Sequence, residues 1–263
     1  MIIDSHVNLH SDQYENDLDD VIAAAQAAGV DIMLTISDKL ESTPAIKKIA
    51  DAHDFIWRSI GVHPHYAKDH GDLTAATLID LARDVKVVGI GECGLDFYYE
   101  HSDRDAQFPV FMAHIDAARE TGLPLIIHTR DADDETRKLL VREHGKGAFT
   151  LLLHCYTGGP ELAEIVLGLG GYISFSGIIT FKNASDIRAI AEATPLDRII
   201  IETDCPYLAP VPMRGRRNEP AFVVHVAEKL AEIKGMSIDE IAKVTTDNFF
   251  RLFSRAHDPR TEE

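Results

Sequence analysis

The sequence predicts a (β/α)8 barrel, and three observations predict it. Eight short apolar runs punctuate the chain, helix-like segments alternate with them, and five of the runs end in acidic or imidazole side chains. Those five are Ile2-Ile3-Asp4-Ser5-His6, Val87-Val88-Gly89-Ile90-Gly91-Glu92, Leu125-Ile126-Ile127-His128, Leu151-Leu152-Leu153-His154 and Ile199-Ile200-Ile201-Glu202-Thr203-Asp204. A fully apolar run reads as a buried parallel strand. Catalytic groups of such barrels come from the strand C-termini, so one barrel would bring all five ends to a single mouth.

Taken in order, the expected strands are 2–6, 31–37, 55–62, 85–92, 123–129, 149–155, 172–177 and 198–204. Helix-like periodicity or composition fills the gaps at 18–28, 42–52, 73–83, 104–121, 133–144, 160–169 and 184–193, with 220–234 and 237–244 after the eighth strand. Eight βα units in ~250 residues is the size and order of this fold. A doubly wound open sheet is the weaker alternative.

Composition bounds the function. The 263 residues, 45% hydrophobic and 26% charged, suit one domain over 1–263. No leader-like start and no run of ~18 apolar residues is present, so a soluble cytoplasmic protein is expected, with no membrane and no obligate protein partner. Cys93, Cys155 and Cys205 are an odd set without Cys-x-x-Cys spacing, which argues against a disulfide framework or thiolate zinc site. Each follows a candidate ligand by one residue, so strand alternation predicts that the thiols point away from the mouth. The net charge of −17 excludes a broad basic face. A nucleic-acid substrate would need local cations.

Mixed imidazoles and carboxylates suit Zn, Mn or Fe, or Mg where carboxylate and water dominate. A carboxylate such as Glu92 could bridge two metals, which makes a hydrolase the natural reading. Gly89-x-Gly91-x-x-Gly94 matches a dinucleotide fingerprint but lacks the helix that must follow it. Its glycines are expected to keep the strand end slim beside a metal.

Six phrases then carry a resemblance. Gly61-Val-His-Pro-His65, Gly91-Glu-Cys-Gly-Leu-Asp-Phe97, Ile127-His-Thr-Arg-Asp-Ala132, His154-Cys-Tyr-Thr-Gly158, Glu202-Thr-Asp-Cys-Pro-Tyr-Leu208 and Arg217-Asn-Glu-Pro220 resemble, in order, signatures of the TatD family of metal-dependent deoxyribonucleases. The resemblance implies an amidohydrolase-like barrel, one or two divalent ions with Mg first and Mn or Zn next, and 3′ to 5′ exonuclease action on DNA at single-stranded ends. It implies Glu92, His128 and His154 as metal ligands, and Asp204 as both a ligand and the group that orients or deprotonates the attacking water. His63 would touch the scissile phosphate, with His65 a lesser substrate contact.

The N-terminus departs from the family's commoner Asp-x-His-x-His. Here it reads Asp4-Ser5-His6-Val7-Asn8, close to the branch of TatD itself, with His6 kept as a metal ligand and Asn8 offering only a neutral oxygen. Arg130, Arg214, Arg216 and Arg217 sit where guanidinium forks could bind phosphate. Tyr98, Tyr99, Phe97 and Tyr156 are candidates to stack a base. Two other functions fit the same chain: a metal-dependent ester or amide hydrolase such as a D-aminoacyl-tRNA deacylase, and a binding scaffold with a decayed site.

Overall fold

The computed structural model describes residues 1–99 and 101–261. Its strands are β1 (Ile2–Val7), β2 (Val30–Thr35), β3 (Ile56–Ile60), β4 (Val87–Asp96), β5 (Leu125–Arg130), β6 (Leu151–Leu153), β7 (Tyr172–Phe175) and β8 (Ile199–Ile201). They form one parallel sheet in sequence order. A parallel bridge between Val7 and Cys205 draws the two ends of that sheet together, and the Asp204 amide donates to the His6 carbonyl at 3.0 Å. This is the predicted barrel.

Among the described residues the α-helices are α1 (Leu18–Ala27), α2 (Thr43–Asp51), α3 (Ala75–Leu81), α4 (Arg104–Thr121), α5 (Asp133–His144), α6 (Pro160–Gly168), α7 (Ser185–Ala193), α8 (Val223–Lys234) and α9 (Ile238–Leu252). Local chemistry sets several ends. Gly122 and Gly235 close α4 and α8 in the left-handed region at φ 70° and 63°, which only glycine adopts cheaply. Ser237 and Glu240 form a reciprocal capping box at the start of α9. That helix runs well past the expected 237–244, because its later turns bury Phe249 and Leu252.

Strand alternation sorts the apolar side chains into two layers. Ile3, Ile32, Leu34, Val88, Ile126, Leu152 and Ile200 meet inside the barrel, where Phe249, Leu252 and Phe253 at the end of α9 pack against them as a floor. Val30, Met33, Ile56, Leu125, Ile127, Leu151 and Ile199 belong to the larger core shared with the helices. No helix among the described residues is long and apolar enough to cross a membrane.

β4 is longer than expected and passes through the glycine fingerprint to Asp96. Gly91 and Gly94 hold φ values of 139° and 136°, and a Cβ at either would strike β5 backbone, at the Ile126 and His128 carbonyls respectively. Their slimness therefore serves close strand packing rather than room for a metal.

One ion-pair cluster ties the outer layer together. The Arg58 guanidinium, buried between β3 and the helices, reaches Asp84 at 2.9 Å, and Lys47 of α2 reaches the same carboxylate at 2.6 Å. Burial works against ionisation of Asp84, but Lys47, the Lys86 amide and Arg58 hold its pKa far below the ordinary carboxylate range. Because the folded-state pKa is depressed, the stabilisation is full above the unfolded value of ~4 and is lost as pH falls below it. Asp84→Ala, which leaves the buried Arg58 unpaired, is expected to cost about 3 kcal/mol at neutral pH. Urea unfolding of both proteins from pH 7 to 3 checks this; the gap should narrow with acid, and a gap independent of pH would refute it.

Candidate metal centre

The inward layer continues directly into a polar cluster. His128 follows the inward Ile126 by two residues, His154 follows Leu152, and Glu202 follows Ile200, so period-two alternation aims all three inward. Glu92 and Asp96 share a face of β4, four residues apart. His6 does not obey strict alternation from Ile3. A register shift between Asp4 and Val7 accompanies its inward turn. Asp204 lies beyond β8 at φ 57°, a left-handed conformation that costs a non-glycine residue strain and brings its carboxylate to the mouth.

Glu92 is the hub. Its Oε1 lies 2.7 Å from His154 Nε2, 3.2 Å from His128 Nδ1 and 3.4 Å from His63 Nε2. Its Oε2 lies 3.2 Å from His6 Nε2, which is also 3.7 Å from Asp204 Oδ1. The His6 and His154 rings stack with centroids 3.9 Å apart. Two further carboxylates stand behind the imidazoles. Glu202 Oε1 meets His154 Nδ1 at 3.2 Å while its Oε2 accepts from Ser174 Oγ at 2.6 Å. Asp96 Oδ2 meets His128 Nε2 at 3.0 Å and His65 Nε2 at 2.9 Å. A carboxylate on the far nitrogen is the usual device that fixes the orientation of a ligating histidine.

The electrostatics of this cluster ask for positive charge at its centre. Burial would raise the pKa of Glu92, yet His154, His63 and His6 hold it well below the ordinary range. Burial would lower His154, and Glu92 and Glu202 instead push it well up. Asp204 moves the other way: burial lifts it to about 6 against the pull of His6 and His154. Burial also takes His63 down to about 4.

Hydrogen bonds do not satisfy the hub. Both ring nitrogens of His6 and Nε2 of His154 are buried and lack a hydrogen-bond partner in spite of the carboxylates nearby. Orphaned imidazole nitrogens aimed at a shared carboxylate fit a divalent cation, and the donor set is one that such ions accept. His63, Glu92 and His128 form one group of ligating atoms within 4.8 Å of one another, and His6, His154 and Glu202 form another.

The structure therefore brings Glu92, His128, His154, Asp204, His6 and His63 together, with His65 one step outside them against Asp96. The arginines divide. Arg130 lies over the Tyr98 and Tyr99 rings at 4.1 and 4.6 Å. Arg214 lies over Phe181 at 3.9 Å, and Arg216 is exposed in the same loop. Arg217 has other work: it donates to both oxygens of Asp17 at 2.9 and 2.6 Å, to Glu219 at 2.9 Å and to the Gln13 carbonyl at 2.6 Å. That guanidinium clamps the last loop to the first and is spent.

Asn8 turns its side-chain amide to the Cys205 carbonyl at 3.1 Å, sealing the β1–β8 seam. Cys93 and Cys205 belong to the buried core shared with the helices, away from the mouth as alternation predicted. Cys155 departs from that expectation. Its φ of 43° breaks the alternation, its thiol meets Ser176 Oγ at 3.1 Å, and burial raises its pKa with help from Asp204 and Glu202. Asp96 and Glu202 had no assigned role from sequence. The signal for Asp96 was its spacing of four from Glu92, and for Glu202 its place two residues before Asp204.

A parallel barrel whose mouth carries inward imidazoles around a buried carboxylate defines the class of metal-dependent hydrolases. The family model described as TatD related DNase matches residues 3–254. The uncharacterized metal-dependent hydrolase YcfH of Escherichia coli is 44% identical over 96% of this chain and 95% of its own length. The 3′-5′ ssDNA/RNA exonuclease TatD of Erwinia tasmaniensis is 38% identical over 96% of this chain and all of its own length. Among solved structures, that of YJJV, a TatD homolog from Escherichia coli, superposes with a TM-score of 0.89 at 27% identity, covering 96% of this chain and 98% of that one. The chain belongs to the TatD family and is a metal-dependent hydrolase.

Proposed function

We propose that the protein is a divalent-metal-dependent exonuclease that hydrolyses phosphodiester bonds from the 3′ end of a nucleic acid. One observation carries the reading: a buried carboxylate, Glu92, with a ring nitrogen of each of four imidazoles within 3.4 Å of it. The exonuclease name of a relative 38% identical supports the choice of phosphodiester over amide or carboxylic ester.

Glu92, His128 and His154 would hold one cation, and His6 with Asp204 would hold a second that shares Glu92. A divalent cation bound there supplies Lewis acidity toward a phosphate oxygen and lowers the pKa of water. Asp204, whose carboxylate reaches the mouth beside His6, orients the attacking water and receives its proton at a carboxylate oxygen. His63 Nδ1 accepts the His65 amide at 3.1 Å, which leaves the ring proton on Nε2, toward Glu92 and the mouth. With its pKa near 4 that ring is neutral at physiological pH, so it serves as a hydrogen-bond donor to developing phosphate charge.

The test is digestion of 5′-labelled single-stranded DNA by chelator-stripped protein given Mg, Mn or Zn in turn. Stripped protein should be inert, and metal should restore stepwise shortening from the 3′ end. Absence of cleavage with every metal, in protein that binds one, would move the substrate to esters or amides.

A further inference from the structure

The loop after β4 carries two neighbouring tyrosines that remain open to solvent, Tyr98 at 55% and Tyr99 at 47% exposure. Large aromatic side chains left out of a core need a reason, and their placement offers one. Asp96 Oδ1 accepts the backbone amides of Tyr98 at 2.9 Å and Tyr99 at 3.0 Å. The other oxygen of the same carboxylate holds His65 and His128. One buried group thus fixes the tyrosine turn and a metal-centre histidine as a unit. The rings are close to the chemistry as well: Tyr99 meets His65 edge to face at 5.4 Å, and His65 in turn meets His63 at 4.3 Å.

Arg130, at the end of β5, lies over both rings and, among the described residues, has no carboxylate partner. Tyr98 and Tyr99 meet edge to face with centroids 4.8 Å apart, and Tyr99 also stacks on His101 at 5.5 Å, which leaves Tyr98 the more open of the two rings. Aromatic faces beside a guanidinium are the parts with which single-strand binders hold nucleotides: the ring stacks the base and the arginine takes the phosphate. The chain's net charge of −17 gives no long-range attraction to a polyanion, so affinity has to come from local contacts of this kind.

We infer that Tyr98, fixed by Asp96 and backed by Tyr99 and Arg130, is a platform that stacks the unpaired terminal base and so selects single-stranded ends. This rests on the nuclease reading above. A base still paired in a duplex has its faces covered by its neighbours and must be unstacked before it can use the platform.

The experiment compares wild type, Tyr98→Ala/Tyr99→Ala and Tyr98→Phe/Tyr99→Phe. Fluorescence anisotropy of 5′-labelled dT10, and of the same oligomer ending in an abasic nucleotide, is measured in chelator. The KM for dT10 and turnover of methyl p-nitrophenyl phosphate are measured with metal. The alanine pair should weaken dT10 binding and raise its KM by about tenfold to a hundredfold, the scale of lost base stacking. It should bind the abasic-ended oligomer as wild type does, and turn over the small ester at the wild-type rate. The phenylalanine pair should behave as wild type, since stacking needs the ring and not the hydroxyl. If wild type digests dT10 and the alanine pair does so with unchanged KM and affinity, the platform is refuted and the nuclease reading stands. If wild type digests no oligonucleotide with Mg, Mn or Zn, both fall together.

Discussion

Glu92→Ala should lose both metal and activity. Removing the shared carboxylate takes away the one group, among the described residues, in contact with His6, His63, His128 and His154 at once. Four imidazoles left facing one another cannot hold a divalent ion with the same charge balance. The expected loss in turnover is on the order of a thousandfold, which corresponds to about 4 kcal/mol of transition-state stabilisation. Metal content by plasma mass spectrometry should fall well below that of wild type, with the far-ultraviolet circular dichroism unchanged because the barrel layers do not depend on Glu92. A variant that retains full metal and activity within tenfold of wild type would remove Glu92 from the centre of the scheme.

The second large effect separates a donor from a ligand. His63→Ala is expected to lower turnover by about a hundredfold to a thousandfold, the usual cost of deleting one donor to developing charge. Metal content should stay at the wild-type level, because His63 Nε2 is the most distant of the three nitrogens around Glu92 Oε1, at 3.4 Å. His63→Gln, which restores an N–H donor, should recover part of the loss. Parallel loss of metal and turnover in His63→Ala would make His63 a ligand instead. The two variants together distinguish who holds the cation from who serves the phosphate.

How much of this could be read from the sequence depends on the reach of the interaction. The eight strands and the helices between them are local, and apolar runs with intervening periodicity gave their order. The inward aim of His128 and His154 follows from alternation within one strand. His6 needed more, since its inward turn goes with a register shift against β2 that no pattern within residues 1–10 reveals. Arg217 illustrates the opposite limit. Its place in an arginine-rich loop pointed to phosphate, but Asp17, two hundred positions away, lies beside it in the fold and takes the charge. Asn8 could be seen as an absent imidazole, whereas its bond to Cys205 exists only where the first and last strands meet. Asp96 was legible by the same period-two rule that served the other residues, provided β4 was carried through its glycines to its true end.

The meeting of chain ends at the metal centre has a consequence for biosynthesis. His6 arrives with the first strand and Asp204 after the last, yet the two lie 3.7 Å apart and the backbone joins them through the Asp204 amide and His6 carbonyl. The floor under them is made later still, by Phe249 and Phe253. A nascent chain that has not reached Asp204 lacks one carboxylate of the centre and the floor beneath it, and a fragment that begins beyond β1 lacks His6. Competence for hydrolysis is delayed until nearly the whole polypeptide has been made, and a degradation fragment that lacks either end does not retain it.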